Sequence, residues 1–334
     1  MSSIAHTRQV TVTRTICGVD ISSTSLEARI GPDGALASFS NNPEGIAALA
    51  AFGLAHQVEL VAMEATGGYE QRALALLSEQ GLPVAILNPR AVRRFAQSMG
   101  LEEKTDAIDA GVIAWYAETR RPQPVCLSSA SQQQLRALVI RLRQLTEVRT
   151  AQLNQSRLVT DPAVVALIDE LLAVIARQIR ELETSIAQLV AQDPLWRQFD
   201  QVFRSIKGVA DRTVARLMAE MPEIGTLSNK KISKLAGVAP LARDSGKHQG
   251  QRAVRGGRAS VREILFIVAS VVGRYEPDFI AFQQRLSAAG KPRKVIRIAL
   301  AHKLLVRLNA KAREVRQQHA AANCTMPVPV LVKS

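Results

Sequence analysis

The sequence predicts an α/β domain at the amino end followed by two predominantly helical regions. Three observations carry this expectation. From Thr15 to about Pro122, short apolar runs alternate first with turn residues and then with amphipathic stretches. Beyond residue 125 the apolar period changes to the three-four spacing of helices. Aromatic residues make up only 4% of the chain, whereas Ala, Leu, Gln and Arg crowd its later part, a composition that favours helix over sheet. At roughly 100 to 200 residues per domain, the 334 residues correspond to two or three folded units.

Met1 to Arg14 is polar and reads as a flexible tail. Ile16 to Ile21, Leu26 to Ile30 and Leu36 to Phe39 are separated by Ser/Thr and Gly31-Pro32-Asp33-Gly34 turns and read as three consecutive antiparallel strands. Asn42-Pro43 opens a helix, because Asn caps and Pro suits the first helical position. A buried strand from Val58 to Glu64, a helix after Gly68, a strand from Pro83 to Leu87 and a helix from Pro89 follow. Three hairpin-linked strands and then alternating helix and strand is the order of an RNase H-like core, which is assigned to residues 15–122.

After Arg121-Pro122-Gln123-Pro124, apolar residues recur at Leu135, Leu138, Leu142 and Leu145. They recur again at Leu172, Ile175, Ile179, Leu182, Ile186 and Leu189, with Thr160-Asp161-Pro162 breaking the pattern between. These read as heptad seams of two long helices over 125–193, a coiled coil closed as a hairpin or with another subunit, with an ordinary helical core as the alternative for the first seam. Residues 195–320 read as a third, helical domain. Its helices lie around Thr213 to Met221, Lys230 to Ala236, from Ala259 and from Arg293, with a Gly-rich basic loop before Ala259 and a second tail at 321–334.

Forty-three Lys+Arg against 29 Asp+Glu give a formal charge of +14, the footprint of a partner rich in phosphate. The excess concentrates where Arg243, Lys247, Arg252, Arg255, Arg258 and Arg262 face only Asp244. Lys207-Gly208, in a turn before a helix, offers a second phosphate-binding candidate through backbone N–H groups. Three widely spaced cysteines give neither a disulfide framework nor a zinc site, and the expectation is a cytoplasmic protein without a membrane span.

Four carboxylates stand out in a chain short of acid. Asp20 ends the first strand among apolar neighbours, where an ionised side chain needs a partner or a cation. Glu64 ends a later strand just before a glycine turn, at the strand end where α/β sheets place function. Asp106 and Asp109, spaced by three, share one face of a helix beginning near Thr105. Oxygen donors alone suit a hard divalent cation, Mg²⁺ or Mn²⁺, and two such ions suit phosphodiester displacement.

Gly18-Val19-Asp20, Glu64-Ala65-Thr66-Gly67 and Lys104-Thr105-Asp106-Ala107-Ile108-Asp109-Ala110 together resemble the RuvC-like domain of DEDD-type transposases of the insertion-sequence one-ten family. That family includes bridge-RNA-guided recombinases and is similar to Piv-type DNA invertases. Leu235-Ala236-Gly237-Val238-Ala239-Pro240 through Asp244-Ser245-Gly246 resembles its carboxy-terminal domain. The resemblance implies that Asp20, Glu64, Asp106 and Asp109 hold metal and that Ser245 attacks a DNA phosphate to form a phosphoserine link. It implies donor and target DNA and an element-encoded guide RNA as partners, in a dimer or tetramer that shares acids and serine between protomers. Ala210 stands where relatives have a second glycine, and the loop after Gly246 lacks the usual Ser-Lys.

Two other enzymes and a binding protein compete with this reading. A Holliday-junction resolvase would use the same acids with water as nucleophile. An actin-like ATPase matches the Gly18-to-Thr24 run but not the charge or the Lys-Thr-Asp helix. A non-catalytic nucleic-acid-binding protein would leave the carboxylates without a role. His248, three residues past Ser245, reads as a surface side chain rather than a base.

Overall fold

The computed structural model describes residues 15–101, 106–125, 129–242, 250 and 252–324, the side chains of 106–108 and 322–324 excepted. The chain divides into two compact units, one ending at Leu127 and the other beginning at Ser128.

In the first unit, β1 (Ile16–Ile21), β2 (Ser25–Ile30) and β3 (Leu36–Ser40) pair antiparallel, with Val19 opposite Ala28 and Ala28 opposite Ala37. Then come α1 (Pro43–Ala55), β4 (Leu60–Glu64), α2 (Glu70–Glu79), β5 (Val84–Leu87), α3 (Pro89–Ser98) and α4 (Asp106–Arg120). The sheet order is β3-β2-β1-β4-β5, with β4 parallel to β1 and β5 parallel to β4. This is the RNase H-like order that the sequence pattern predicts. Local chemistry sets the helix starts as expected: Asn42 Oδ1 accepts from Gly45 N at 2.8 Å, and Asn88 Oδ1 accepts from Arg90 N at 2.9 Å.

The strands β1, β4 and β5 are buried on both faces, and the two-residue period sorts side chains between them. Cys17, Val19, Ile21, Val61 and Met63 pack with Ile46, Leu49, Ala73 and Leu77 of α1 and α2. Ile16, Leu60, Ala62, Ala85 and Leu87 pack with Val92, Ala96, Val112, Ile113 and Ala117 of α3 and α4. Burial pushes the Cys17 thiol up to about 12, so it is a packing residue rather than a reactive one.

The second unit is almost wholly helical: α5 (Ala130–Ser156), α6 (Pro162–Gln192), α7 (Pro194–Arg204), α8 (Asp211–Glu220) and α9 (Asn229–Ala236) are followed by a two-stranded hairpin. The hairpin pairs β6 (Pro240–Leu241) with β7 (Ala253–Val254), and α10 (Ala259–Tyr275), α11 (Pro277–Ala288) and α12 (Arg293–Cys324) complete the unit. The helices α5 and α6 fold back on one another across a short link, and Asp161 caps α6 through Ala163 N and Val164 N. Leu135, Leu142, Leu145, Ile175, Ile179, Ile186 and Leu189 of the two expected seams are buried, in the same cluster as Phe199, Phe203, Leu265 and Leu304. The long hairpin thus shares one core with the helices that follow it. Asp193 separates α6 from α7 by accepting from Leu195 N and Trp196 N at 2.8 and 3.0 Å. The sequence pattern leaves α7, α11 and the two-residue strands unassigned; the strands are too short to display a period.

Deep in this unit Asn309 is fully buried. It accepts from Gly225 N at 2.8 Å and donates to Leu227 O and Asn229 Oδ1 at 3.0 and 2.9 Å, tying α12 to the α8–α9 connection. Among the described residues no helix is long and apolar enough to cross a membrane.

Candidate functional site

Asp20 and Glu64 each stand one residue beyond the Val19–Met63 pair that aligns β1 with β4. Parallel register therefore sets them side by side at the carboxyl ends of the two central strands. Gly18 and Ala62 lie two residues earlier, so both carboxylates belong to the face covered by α3 and α4. Both are half-buried, and Asp20 Oδ1 accepts from Ile21 N at 3.1 Å.

What brings α4 to this pair is an absence of side chain. A Cβ on Gly18 would overlap Ala110 O and stand 2.5 Å from Ala114 N, so β1 and α4 meet backbone to backbone. Gly111 makes a second close approach, where a Cβ would fall 2.7 Å from Pro32 O in the β2–β3 turn. Ala110, Ile113, Ala114 and Ala117 form the fully buried stripe. Asp109, half-buried, precedes that stripe directly, and Asp106 begins the helix one turn earlier. The side chain of Asp106 lies outside the described residues. Among the described residues no three His, Cys, Asp or Glu side chains group closely enough to hold a metal ion. Asp20, Glu64 and Asp109 all have interaction partners within the structure. In donor chemistry these acids fit a hard divalent cation, since every one offers carboxylate oxygen.

The turn after Glu64 is organised by a residue the sequence pattern does not single out. Glu70 is only 5% exposed, and its Oε2 accepts from Thr66 N at 3.1 Å, Thr66 Oγ1 at 2.9 Å and Gly68 N at 2.9 Å. Burial works to raise its pKa, but these bonds and one from Gln71 prevail and hold the carboxyl at about 2. A charged Glu70 thus fixes the Thr66–Gly68 turn and the path of the chain leaving Glu64. The one available signal was an acid two residues after a Gly-Gly pair at a helix start.

In the second unit, Arg243, Ser245, Lys247 and His248 lie outside the described residues. The strands β6 and β7 bracket that stretch. Arg252 and Arg255 are exposed. Arg258 is committed internally, with Nη1 and Nη2 donating to Glu223 at 2.7 and 2.6 Å and Nη1 also to Glu220 O at 2.8 Å. Burial alone would raise the Glu223 carboxyl, but the Arg258 bonds and charge hold it below its ordinary range. Arg262 Nη1 donates to Gly256 O at 2.7 Å, bracing the Gly-rich turn. Sequence alone could not separate these two braces from the exposed pair, because the Arg258 partner lies 35 residues away and the Arg262 partner is a backbone carbonyl, and neither leaves a side-chain pattern.

Gly208 has φ +98° and packs against α10, where a Cβ would stand 3.0 Å from Val271 Cγ1. Lys207 N donates at 2.8 Å to Glu276 Oε1. The backbone donor that the sequence offers to a phosphate is here answered by a carboxylate of the same chain.

Residues 17–161 match a family described as Transposase, with the DEDD acids in its designation, and residues 200–284 match the Transposase IS116/IS110/IS902 family; together they span well over half of the chain. Pilin gene-inverting proteins of Moraxella lacunata and Moraxella bovis are each 28% identical over 320 residues, which cover 91% of this chain and 98% of theirs. A RuvC structure from Thermus thermophilus aligns with 33% of this chain and 99% of its own at 19% identity and a TM-score of 0.24. At that score the superposition carries no weight, and the fold rests on the strand order.

Proposed function

Since the chain belongs to the IS116/IS110/IS902 family of transposases and is a DNA recombinase, we propose that Asp20, Glu64, Asp106 and Asp109 hold divalent cations at its cleavage site and that Ser245 is its nucleophile. The observation that carries this reading is the placement of Asp20 and Glu64 side by side under a helix that enters at Asp106 and Asp109. Mg²⁺ or Mn²⁺ bound there would withdraw charge from the scissile phosphate and steady the leaving oxygen. The chain's own part is geometric and protonic. Ser245 Oγ loses its proton and bonds to phosphorus as one phosphodiester P–O bond breaks, and the departing deoxyribose oxygen is protonated. A hydroxyl of the partner strand then attacks the phosphoserine, which releases Ser245 and rejoins DNA without an external energy source.

The acids and the serine belong to different units, and the proposed assembly is a dimer or tetramer in which protomers share them. Support comes from the far half of the α5–α6 hairpin, where Val164, Leu167, Leu171 and Val174 repeat at helical spacing yet remain exposed. A coiled coil with a second hairpin would cover them. An element-encoded guide RNA that pairs with donor and target DNA would leave the protein to grip backbones, in keeping with its +14 charge. Inversion is the second reading, favoured by the likeness to pilin gene-inverting proteins; it needs the same chemistry at two sites of one DNA molecule.

The test is expression with native flanking DNA in a recombination-deficient bacterial host, scoring circle junctions and inverted segments for wild type, Asp109→Asn and Ser245→Ala. Products from wild type alone are expected. Junctions that survive in Ser245→Ala would transfer the attack to water, and junctions that survive in Asp109→Asn would remove that acid from the site.

A further inference from the structure

The second unit holds a cleft of about 1050 Å³ between α10, α11, α12 and the β6–β7 hairpin. That lies just above the roughly 300–1000 Å³ typical of small-molecule sites. Its floor is apolar, with Ile298 and the rings of Phe266 and Phe282 half-buried there. Cations fix both rings in place: Arg297 sits 4.8 Å over Phe266, and Lys303 sits 5.0 Å over Phe282. Its charged lining is one-sided. Arg252 and Lys294 border the cleft at exposed positions, Lys303 Nζ is held there by Asp278 O at 2.7 Å, and the acid among the lining residues, Glu263, is paired with Arg216 at 3.1 Å.

We infer that this cleft seats an unstacked nucleobase, with the rim cations on the phosphates either side of it. The combination of surfaces selects the ligand. A flat apolar group suits the aromatic floor, and an anionic backbone suits the rim; an unpaired nucleotide carries both on one scaffold. A paired duplex presents phosphate outward and keeps its bases stacked, so it would leave the floor empty. An apolar peptide or acyl chain would fill the floor and leave the rim unanswered. One wall is made by Pro240 and Val254, on the strands that bracket the stretch holding Ser245. Seating a base here would hold the local strand open next to that hairpin. The inference rests on the nucleic-acid reading above but not on the identity of its nucleophile.

The test compares wild type with Ile298→Trp, which fills the floor, and Lys294→Glu, which reverses one rim charge. Fluorescence anisotropy is read with oligothymidylate and with a mixed-sequence duplex of equal length. Ile298→Trp should weaken oligothymidylate binding by about tenfold or more and leave duplex binding unchanged. Lys294→Glu should weaken oligothymidylate binding and flatten its salt dependence. Equal oligothymidylate affinity in wild type and Ile298→Trp would overturn the inference, and so would a parallel loss of duplex binding.

Photocrosslinking of wild type to an oligothymidylate carrying 5-iododeoxyuridine does not depend on any variant folding. Crosslinks on α10, α11 or α12 residues of the cleft are expected, and crosslinks confined elsewhere would refute it. If Ile298→Trp changes sedimentation while oligothymidylate binding persists, the cleft belongs to a second copy of the chain instead. Wild type that binds through the cleft but forms no junctions would strike the recombination chemistry alone. Junctions from wild type together with unchanged Ile298→Trp binding would strike the cleft alone.

Discussion

Gly18→Ala is the smallest change that should disable the carboxylate site without touching a carboxylate. The added methyl would stand 2.5 Å from Ala114 N and 3.0 Å from Ala114 Cβ, and closer still to Ala110 O. Carbon needs about 3.5 Å from such neighbours, so α4 must retreat by about 1 Å. No flexible side-chain end is available to give way, because the opposing atoms belong to the backbone and Cβ of α4. Overpacking of this kind costs about 1–3 kcal/mol, which leaves the sheet folded with a lowered melting midpoint. A displacement of about 1 Å at reacting groups costs about a hundredfold in rate. Asp106 and Asp109 ride on the displaced helix, so junction formation should fall by about that factor, well beyond the loss of folded protein. Melting followed by circular dichroism and junction counts in the same host provide the two readings. Wild-type melting together with wild-type junction counts would refute the argument that this backbone contact sets the position of the acids.

Glu70→Gln should cost about 1–3 kcal/mol in urea unfolding at neutral pH, because four donors lose a charged acceptor. The folded pKa, about 2, is below the ordinary 4.5. Glu70 therefore contributes fully above about 4.5, and its contribution is lost as pH falls toward about 2. The variant should show a flatter stability profile over that range, and an unchanged acid limb would contradict the assignment. Asn309→Leu keeps the volume of the side chain but strands Gly225 N–H and takes the donor from Asn229 Oδ1, while Leu227 O keeps Arg313 Nη2; the buried N–H left unpaired costs about 1–3 kcal/mol. Thermal denaturation should show the helical unit melting earlier, and an unshifted transition would mean that these groups find other partners.

Most of the sheet was legible because its period is short and its punctuation strong. The short apolar runs of β1 and β4 and the Asn-Pro starts of α1 and α3 depend on residues close together in the chain. The strand-end positions of Asp20 and Glu64 followed from the same local pattern. The role of Gly18 was not legible, because its partner is the backbone at Ala110 and Ala114 and backbone has no sequence signature. Glu70 was hidden for a related reason: a carboxylate at a helix start is commonplace, and only its burial distinguishes it. Among the basic residues, charge could be counted but not allocated. Arg258 joins Glu223 and Arg262 joins Gly256, while Arg252 and Arg255 remain exposed, and these three situations look alike in one dimension. The heptad seams announced two long helices but not their division between a buried stripe at Ile175, Ile179 and Ile186 and an exposed one at Leu167 and Leu171.

The two units keep separate hydrophobic cores, with Leu135 to Val315 in one and the sheet residues in the others. Damage to one therefore need not melt the other. A gene copy with a ruined sheet would still yield the helical unit with its exposed hairpin stripe intact. In the shared assembly proposed above, such a product would enter complexes and contribute no acids.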